Sequence, residues 1–360
     1  MAENADVLIV GAGPAGLATA IAARLKGLSV TVADARRPPI EKACGEGLLP
    51  EGVAALSQLG IQLNSEVAFP IAGIRFCDGA SRASGKLPHG SASFGLRRTT
   101  LHTLLVQRAN EVGVTFRWGT RVSDCAPNSA WLVGADGQKS IVRKCANLGP
   151  RRLHSSRFGF RRHFSVAPWT DFVEVYWGRR CQIYVTPTGP GEVCIALLSG
   201  DPQMRIETAL HQFPELADRL QGAQPLTAEL GGVTMLERLG QVARGRVALV
   251  GDASFTVDGI TGQGLSLAFQ QAIRLGEALA SENLASYEIA HRKIVMKPAR
   301  MARLLLLLDR YEWLRRTTLR ILAKHPNLFA RLLSMHAAES ASPSIKPREI
   351  CDVGCRVLRA

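Results

Sequence analysis

Aromatic side chains are scarce in this 360-residue chain, at 6%, and neither Gly at 34 nor Pro at 18 is enriched. Collagen-like and low-complexity classes are therefore excluded. The eight cysteines (44, 77, 125, 145, 181, 194, 351 and 355) form no repeated C-x-x-C pair and are too sparse for a disulfide-stapled scaffold. They read as reduced thiols, and Cys351 with Cys355 reads as part of a tail rather than half of a metal site, so no metal is expected. No apolar run approaches the roughly 20 residues of a membrane span. Leu304 to Leu308 is far shorter, and the acidic, glycine-bearing N-terminal stretch suits a strand and turn better than a secretion signal. With 46% apolar and 21% charged residues, the chain has the makings of one large domain or two intimately packed ones.

Acidic residues are also outnumbered, 30 against 44 Lys and Arg, giving +14. The excess is localised. From His291 to Ala360 there are 15 basic and 5 acidic residues, so this last fifth carries +10 and the remainder is nearly balanced. Such a balance favours acidic ligands, an anionic membrane surface or nucleic acid.

Asp6 to Val10 is a short apolar run, followed by Gly11, Gly13 and Gly16 and an alanine-rich helical segment through Leu25. A second β-branched run, Ser29 to Val32, ends at Ala33 and Asp34. This is a βαβ opening with a dinucleotide fingerprint. Gly11 permits the tight turn, and Gly13 lets backbone approach a pyrophosphate at the helix N-terminus with Pro14 and Ala15. Gly16 allows strand and helix to pack closely. Asp34, with Ala35 beside it, stands where a carboxylate would accept hydrogen bonds from a ribose.

Two further glycine and aspartate turns follow. Trp131 to Val133 leads into Gly134, Ala135, Asp136 and Gly137, then Ser140 and Arg143. Arg246 to Val250 runs into Gly251 and Asp252, then Asp258, Gly259, Gly262, Gln263 and Gly264 at a predicted helix start. Together these turns resemble the FAD-binding motifs of the p-hydroxybenzoate hydroxylase-fold flavoproteins, the group A monooxygenases, geranylgeranyl reductases and relatives. The resemblance covers roughly residues 5 to 290. It implies FAD as cofactor, with Asp252 on the ribityl chain and the helix from Gly262 pointing its N-terminus at the flavin pyrimidine. That end would stabilise the charge of reduced flavin. Asp136 is associated in the family with both FAD and the nicotinamide cofactor, and Arg98 resembles a flavin-contacting arginine at a helix start. A solvated helix residue is the alternative for Arg98.

Between the cofactor segments, Arg157 to Leu198 alternates polar and β-enriched residues between Pro and Gly turns, as an antiparallel meander would. It looks like the family's substrate sheet, roofing a pocket above the flavin, with Ile71 to Phe94 pairing alongside. The expected architecture is α/β. A discontinuous Rossmann-like FAD domain takes 1–70, 96–150 and 236–290, and an antiparallel substrate domain takes 71–95 and 151–235. C-terminal amphipathic helices span 291–340, and 341–360 form a tail.

Finer motifs lean toward one branch. Cys44-Gly45-Glu46-Gly47 resembles a segment of geranylgeranyl reductase-like proteins, Tyr184-Val185-Thr186-Pro187 a reduced form of their pocket motif, and Asp258 to Gly264 their late motif with Gly259 and Gln263 as departures. The resemblance would put Cys44 beside the isoalloxazine, to steer substrate or relay a proton; packing in a tight loop is the alternative. Glu46 is a candidate acid or a solvated loop glutamate. Tyr184 is a candidate pocket hydroxyl or a half-buried strand tyrosine.

From Lys297 to Met335, aliphatic residues alternate with Arg and Lys at helical spacing, interrupted by Pro326, which reads as a basic amphipathic helix pair. It would cap the pocket, or also touch an anionic membrane through residues 297–335. Nucleic acid is not expected, because the basic residues are interleaved with aliphatics rather than stacking aromatics. The whole reads as a cytoplasmic FAD-dependent oxidoreductase, a monooxygenase hydroxylating a hydrophobic aromatic or lipid-like molecule through a flavin hydroperoxide. NAD(P)H is the expected reductant, with a partner reductase or ferredoxin as the other source. The second reading is reduction of isoprenoid or polyene double bonds, and the third a membrane-surface protein with a structural flavin.

Overall fold

The computed structural model describes residues 5–122 and 129–337, with side chains at 150–155 and 337 left aside. Cys351, Cys355 and the 341–360 tail lie outside the described residues. The first strand, Val7–Val10, sits in a six-stranded sheet ordered 243–244, 247–249, 131–134, 7–10, 30–34 and 115–118. All its pairings are parallel except 243–244 with 247–249. Such strands are covered on both faces, which is why Ile9, Val32 and Val133 are fully apolar and buried. The covering helices are α1 (Pro14–Leu25), α2 (Arg98–Glu111) and α3 (Gly264–Ala280).

A second, nine-stranded sheet runs in the order 255–256, 230–239, 150–165, 192–199, 181–189, 172–177, 73–78 and 81–86, with 224–225 paired to 150–165 beside it. The meander expectation holds for 172–177, 181–189 and 192–199, which pair antiparallel in chain order, and is corrected at strand 150–165. Strand 150–165 pairs with 192–199 and not with its chain neighbour 172–177, and 172–177 pairs parallel with 73–78. One face packs on two short helices, 206–210 and 214–219, through Ile183, Ile195, Leu197 and Phe213. The other faces the C-terminal cap, where Val175, Trp177, Leu198 and Ile260 meet Leu308 and Leu319.

The cap is three helices rather than a pair: α4 (Leu284–Arg310), α5 (Glu312–Lys324) and α6 (Pro326–Ala337). Pro326 starts the last helix, where a missing N–H costs nothing, and Pro298 lies inside α4. Among the described residues, no helix is long and apolar enough to cross a membrane. The expectation of reduced thiols holds for Cys44, Cys77, Cys181 and Cys194 and fails at Cys145, which is disulfide-bonded.

Candidate active site

The carboxyl ends of the parallel strands 7–10, 30–34 and 131–134 open into one cavity of about 1040 Å³ that continues beneath the second sheet to the cap. In open α/β sheets this end of the strands is where ligands bind. At its near end the first turn of α1 is built by glycines. Gly11 takes φ +105°. A Cβ on Gly16 would lie 1.9 Å from the Gly11 carbonyl oxygen, so only glycine lets the helix sit this close to the strand. Gly16 therefore packs the turn and is not on the cavity wall, whereas Gly11, Gly13, Pro14 and Ala15 are. A Cβ on Gly13 would meet nothing within 4 Å.

Asp34 closes the same turn. Its carboxylate accepts from Ala12 N at 2.8 Å and from Arg36 N at 2.8 Å, and it lines the cavity with Ala35. Asp136 also lines the wall. One of its oxygens accepts from Ile141 N at 2.6 Å at the start of the short helix 141–145, while Oδ1 is buried without a partner. Arg98 opens α2 on the wall with its Nε likewise buried and unpartnered.

Gly251 and Asp252 form the third turn. Gln271 of α3 accepts from Gly251 N at 2.8 Å, and Ser254 Oγ, one turn on, lies 3.1 Å from His291 Nε2 of α4. Burial drives the His291 pKa down to about 3, with Arg238 and Arg292 adding to the effect, so this imidazole is neutral and serves as a rigid partner of the turn. Asp252 Oδ2 is 2.6 Å from Lys42 Nζ; both line the cavity. Lys42 had no motif to announce it. Gly262, at φ +65°, and Gly264 present open backbone at the N-terminus of α3. Gln263 departs from expectation. Its side chain donates to the His336 carbonyl of α6 at 2.9 Å, and it is not on the cavity wall.

These features fit an FAD. Two orphaned polar groups, Arg98 Nε and Asp136 Oδ1, await partners. A cation at Lys42 and the helix end at Gly13 suit phosphates, and open backbone at Gly13, Gly262 and Gly264 leaves room for a flat ligand to lie close.

The predicted catalytic residues gather where the cofactor groove meets the apolar chamber. Cys44 is half-buried on the wall, and its Sγ accepts from Glu46 N at 3.4 Å. Glu46 is no solvated loop residue. It is buried, at 2% exposure, and takes left-handed backbone at φ +59°, a conformation that non-glycine residues hold only when their surroundings compel it. The compulsion is visible. Glu46 Oε2 lies 2.5 Å from His163 Nε2, Oε1 accepts from Arg98 N at 3.0 Å, and the Arg161 guanidinium stands 3.8 Å away. His163 Nδ1 is in turn 3.1 Å from Thr227 Oγ1, and Arg161 also pairs with Glu41 at 2.5 Å. Cys194 joins this group, with burial holding its thiol well above the ordinary value and so protonated.

Neither His163 nor Arg161 was singled out in the sequence, although both lie in the R-R-H-F run of the long strand; they are remote in sequence from Glu46, and only the sheet register brings them together. Tyr184, half-buried on strand 181–189, lines the chamber, and its hydroxyl donates to the Ile260 carbonyl at 3.0 Å. It braces the loop before α3. Under the same loop, buried Asp258 pairs with Arg157 at 3.4 Å, and Arg157 also meets Gln182 and, at 3.8 Å, Asp309 of α4. Burial raises the Asp309 carboxyl pKa.

Beyond Tyr184 the chamber is apolar. Ile74, Phe76, Val173, Val175 and Ala196 of the sheet face Met301, Leu305 and Leu308 of α4, with Leu322 of α5 and Phe329 and Leu333 of α6.

Comparison with known proteins agrees with this geometry. The family model described as FAD binding domain matches residues 4–127 and 126–286. The chain is 28% identical to a menaquinone reductase of Mycolicibacterium smegmatis, over 81% of this chain and 80% of that protein. It is also 28% identical to a 3-hydroxybenzoate 6-hydroxylase of Polaromonas naphthalenivorans, over 82% and 85%. A flavoprotein/dehydrogenase structure from Cytophaga hutchinsonii superposes with TM-score 0.82 at 16% identity, covering 99% of this chain and 100% of that one, a likeness of fold.

Proposed function

The chain belongs to the FAD-binding domain family and is an FAD-dependent oxidoreductase, and from that premise we propose that it is a monooxygenase hydroxylating a lipophilic small molecule. The observation that carries the reading is the apolar chamber, continuous with the cofactor groove and roofed by the cap helices. Bound FAD supplies two-electron redox chemistry and, with O₂, oxygen transfer. The chain's own residues do the rest. The wall formed by Val173, Val175, Leu305 and Leu308 excludes water from the reacting end. Gly13, Arg98, Lys42 and Asp252 would hold the cofactor. Glu46, set by His163 and Arg161, is placed to hold or pass a proton at its Oε2 atom, with Cys44 beside it. NAD(P)H is the reductant in this reading, arriving at the groove transiently; a partner reductase or ferredoxin is the other source.

A second reading rests on specific observations. Relatives of this chain include menaquinone reductases, the chamber wall is apolar, and a buried carboxyl paired with histidine lies beside it, which together suit reduction of an isoprenoid double bond. One experiment separates the two. Holoenzyme supplied with NADPH and ¹⁸O₂ is offered a long-chain alkylphenol and a menaquinone, and the products are weighed by mass spectrometry. Gain of one labelled oxygen supports hydroxylation, and gain of two hydrogens in the side chain, kept after the quinol is reoxidised to quinone, supports reduction of the isoprenoid double bond. Neither product from any lipophilic probe, with flavin that does reoxidise, would count against the proposed substrate class.

A further inference from the structure

The cap has a second surface that its role as a lid does not use. At about 100° per residue, Ile289, Met296, Leu304 and Leu307 fall within an arc of about 80° on α4. All four are exposed, by 58%, 46%, 51% and 46%. Lys293 and Arg300, both exposed, share that arc, and the stripe runs on into exposed Tyr311 and Trp313, where Arg310 lies over the Tyr311 ring. Over residues 283–337 the chain has eleven Lys and Arg against three acids, of which Glu288 and Asp309 are mostly covered. A water-facing helix normally hides its aliphatic residues, and a nucleic-acid surface does not carry a continuous aliphatic ridge. Aliphatic residues flanked by cations and ended by Trp and Tyr match the interfacial layer of a bilayer with anionic headgroups.

Leu304 makes the surface more than a patch. It is half exposed, yet it also lines the chamber, so the apolar interior reaches the outside on this stripe. We propose that the exposed face of α4 and the start of α5 docks this protein on anionic lipid bilayers, with the mouth at Leu304 turned toward the acyl chains. Docking stands on the surface itself; the corollary, that substrate passes from bilayer to chamber without crossing water, rests on the lipophilic-substrate reading above.

The test is sedimentation of the purified holoenzyme with vesicles of phosphatidylcholine alone or with one third phosphatidylglycerol, without substrate. We expect binding to the anionic vesicles that weakens with salt and is at least about tenfold weaker on phosphatidylcholine, since the cations of this face are drawn to anionic headgroups. Leu307→Glu with Trp313→Glu removes two outward side chains that do not line the chamber and should abolish binding with flavin content and melting temperature unchanged. Lys293→Glu with Arg300→Glu should remove the preference for anionic lipid. No binding by the wild type, or equal binding by the Leu307/Trp313 variant, overturns the proposal. So does concentration-dependent dimerisation lost in that variant without vesicle binding, which would make the face a self-interface. Intact vesicle binding with no turnover of any lipophilic probe would strike the functional reading alone.

Discussion

Two glycines three residues apart in the first turn should respond to the same substitution very differently. Gly13 has φ −70° and ψ 176°, which alanine adopts freely, and a Cβ there meets no atom within 4 Å. In the protein without flavin, Gly13→Ala should therefore shift stability by no more than about 1 kcal/mol, the stiffer unfolded chain favouring it and the helix N-cap, where glycine is preferred to alanine, opposing it. The new methyl enters the space at the α1 N-terminus that the cofactor pyrophosphate would need. Losing one charge-assisted backbone hydrogen bond costs about 1.5–3 kcal/mol, so FAD should bind about ten- to a hundredfold more weakly. At Gly16 the Cβ would stand 1.9 Å from the Gly11 carbonyl oxygen and 3.1 Å from Ala135 Cβ, and the carbonyl belongs to a turn fixed by the strand. Overpacking of that kind costs about 3 kcal/mol or more, a fall in melting temperature on the order of 10 °C. Melting curves of apoprotein together with FAD titration monitored by flavin fluorescence read both effects. Unchanged FAD affinity in Gly13→Ala would refute the placement of the cofactor, and a Gly16→Ala protein as stable as wild type would refute the packing argument.

Other consequences are equally open to measurement. Asp252→Ala removes the carboxylate and leaves Lys42 unpaired in the groove; purified protein should carry substoichiometric FAD, and full flavin content would remove Asp252 from the binding set. Glu46→Gln keeps shape but not the acid, and should lower turnover about a hundredfold while retaining FAD; unchanged turnover would reduce Glu46 to a structural role. His291, whose pKa burial drives down to about 3 from an ordinary value of 6.5, contributes stability that is fully present above pH 6.5 and is lost as pH falls toward 3. The slope approaches about 1.4 kcal/mol per pH unit in that window, and urea denaturation at several pH values should show it flattened in His291→Gln.

How far the sequence spoke for itself depended on range. The cofactor groove was legible because its signals are local: a glycine turn between strand and helix announces itself within a dozen residues, and Asp34, Asp136 and Asp252 each end a short apolar run. The corner proposed to act in catalysis was legible only in part. Cys44 and Glu46 belong to a local motif, but what buries Glu46 is His163 and Arg161, brought in by the register of strand 150–165 against 192–199. Side-chain commitments were also hidden, since the Tyr184 hydroxyl and the Gln263 amide are claimed by partners in elements distant along the chain. Sheet order escaped for the same reason. Alternation marks strands but does not say that 172–177 runs beside 73–78. In the cap, periodicity found the helices, while Pro326 read as an interruption is in fact a beginning.

The most direct test of the central claim, an apolar chamber abutting the flavin, is a titration of the holoenzyme with 4-alkylphenols of increasing chain length, followed by the flavin difference spectrum. Each added methylene buried in the chamber should contribute about 0.8 kcal/mol, a roughly fourfold gain in affinity, until the chain outgrows the cavity. Ala196→Trp, which fills the chamber from the sheet side, should abolish the response and leave FAD in place. A spectral change independent of chain length, or one that survives Ala196→Trp, would contradict the account.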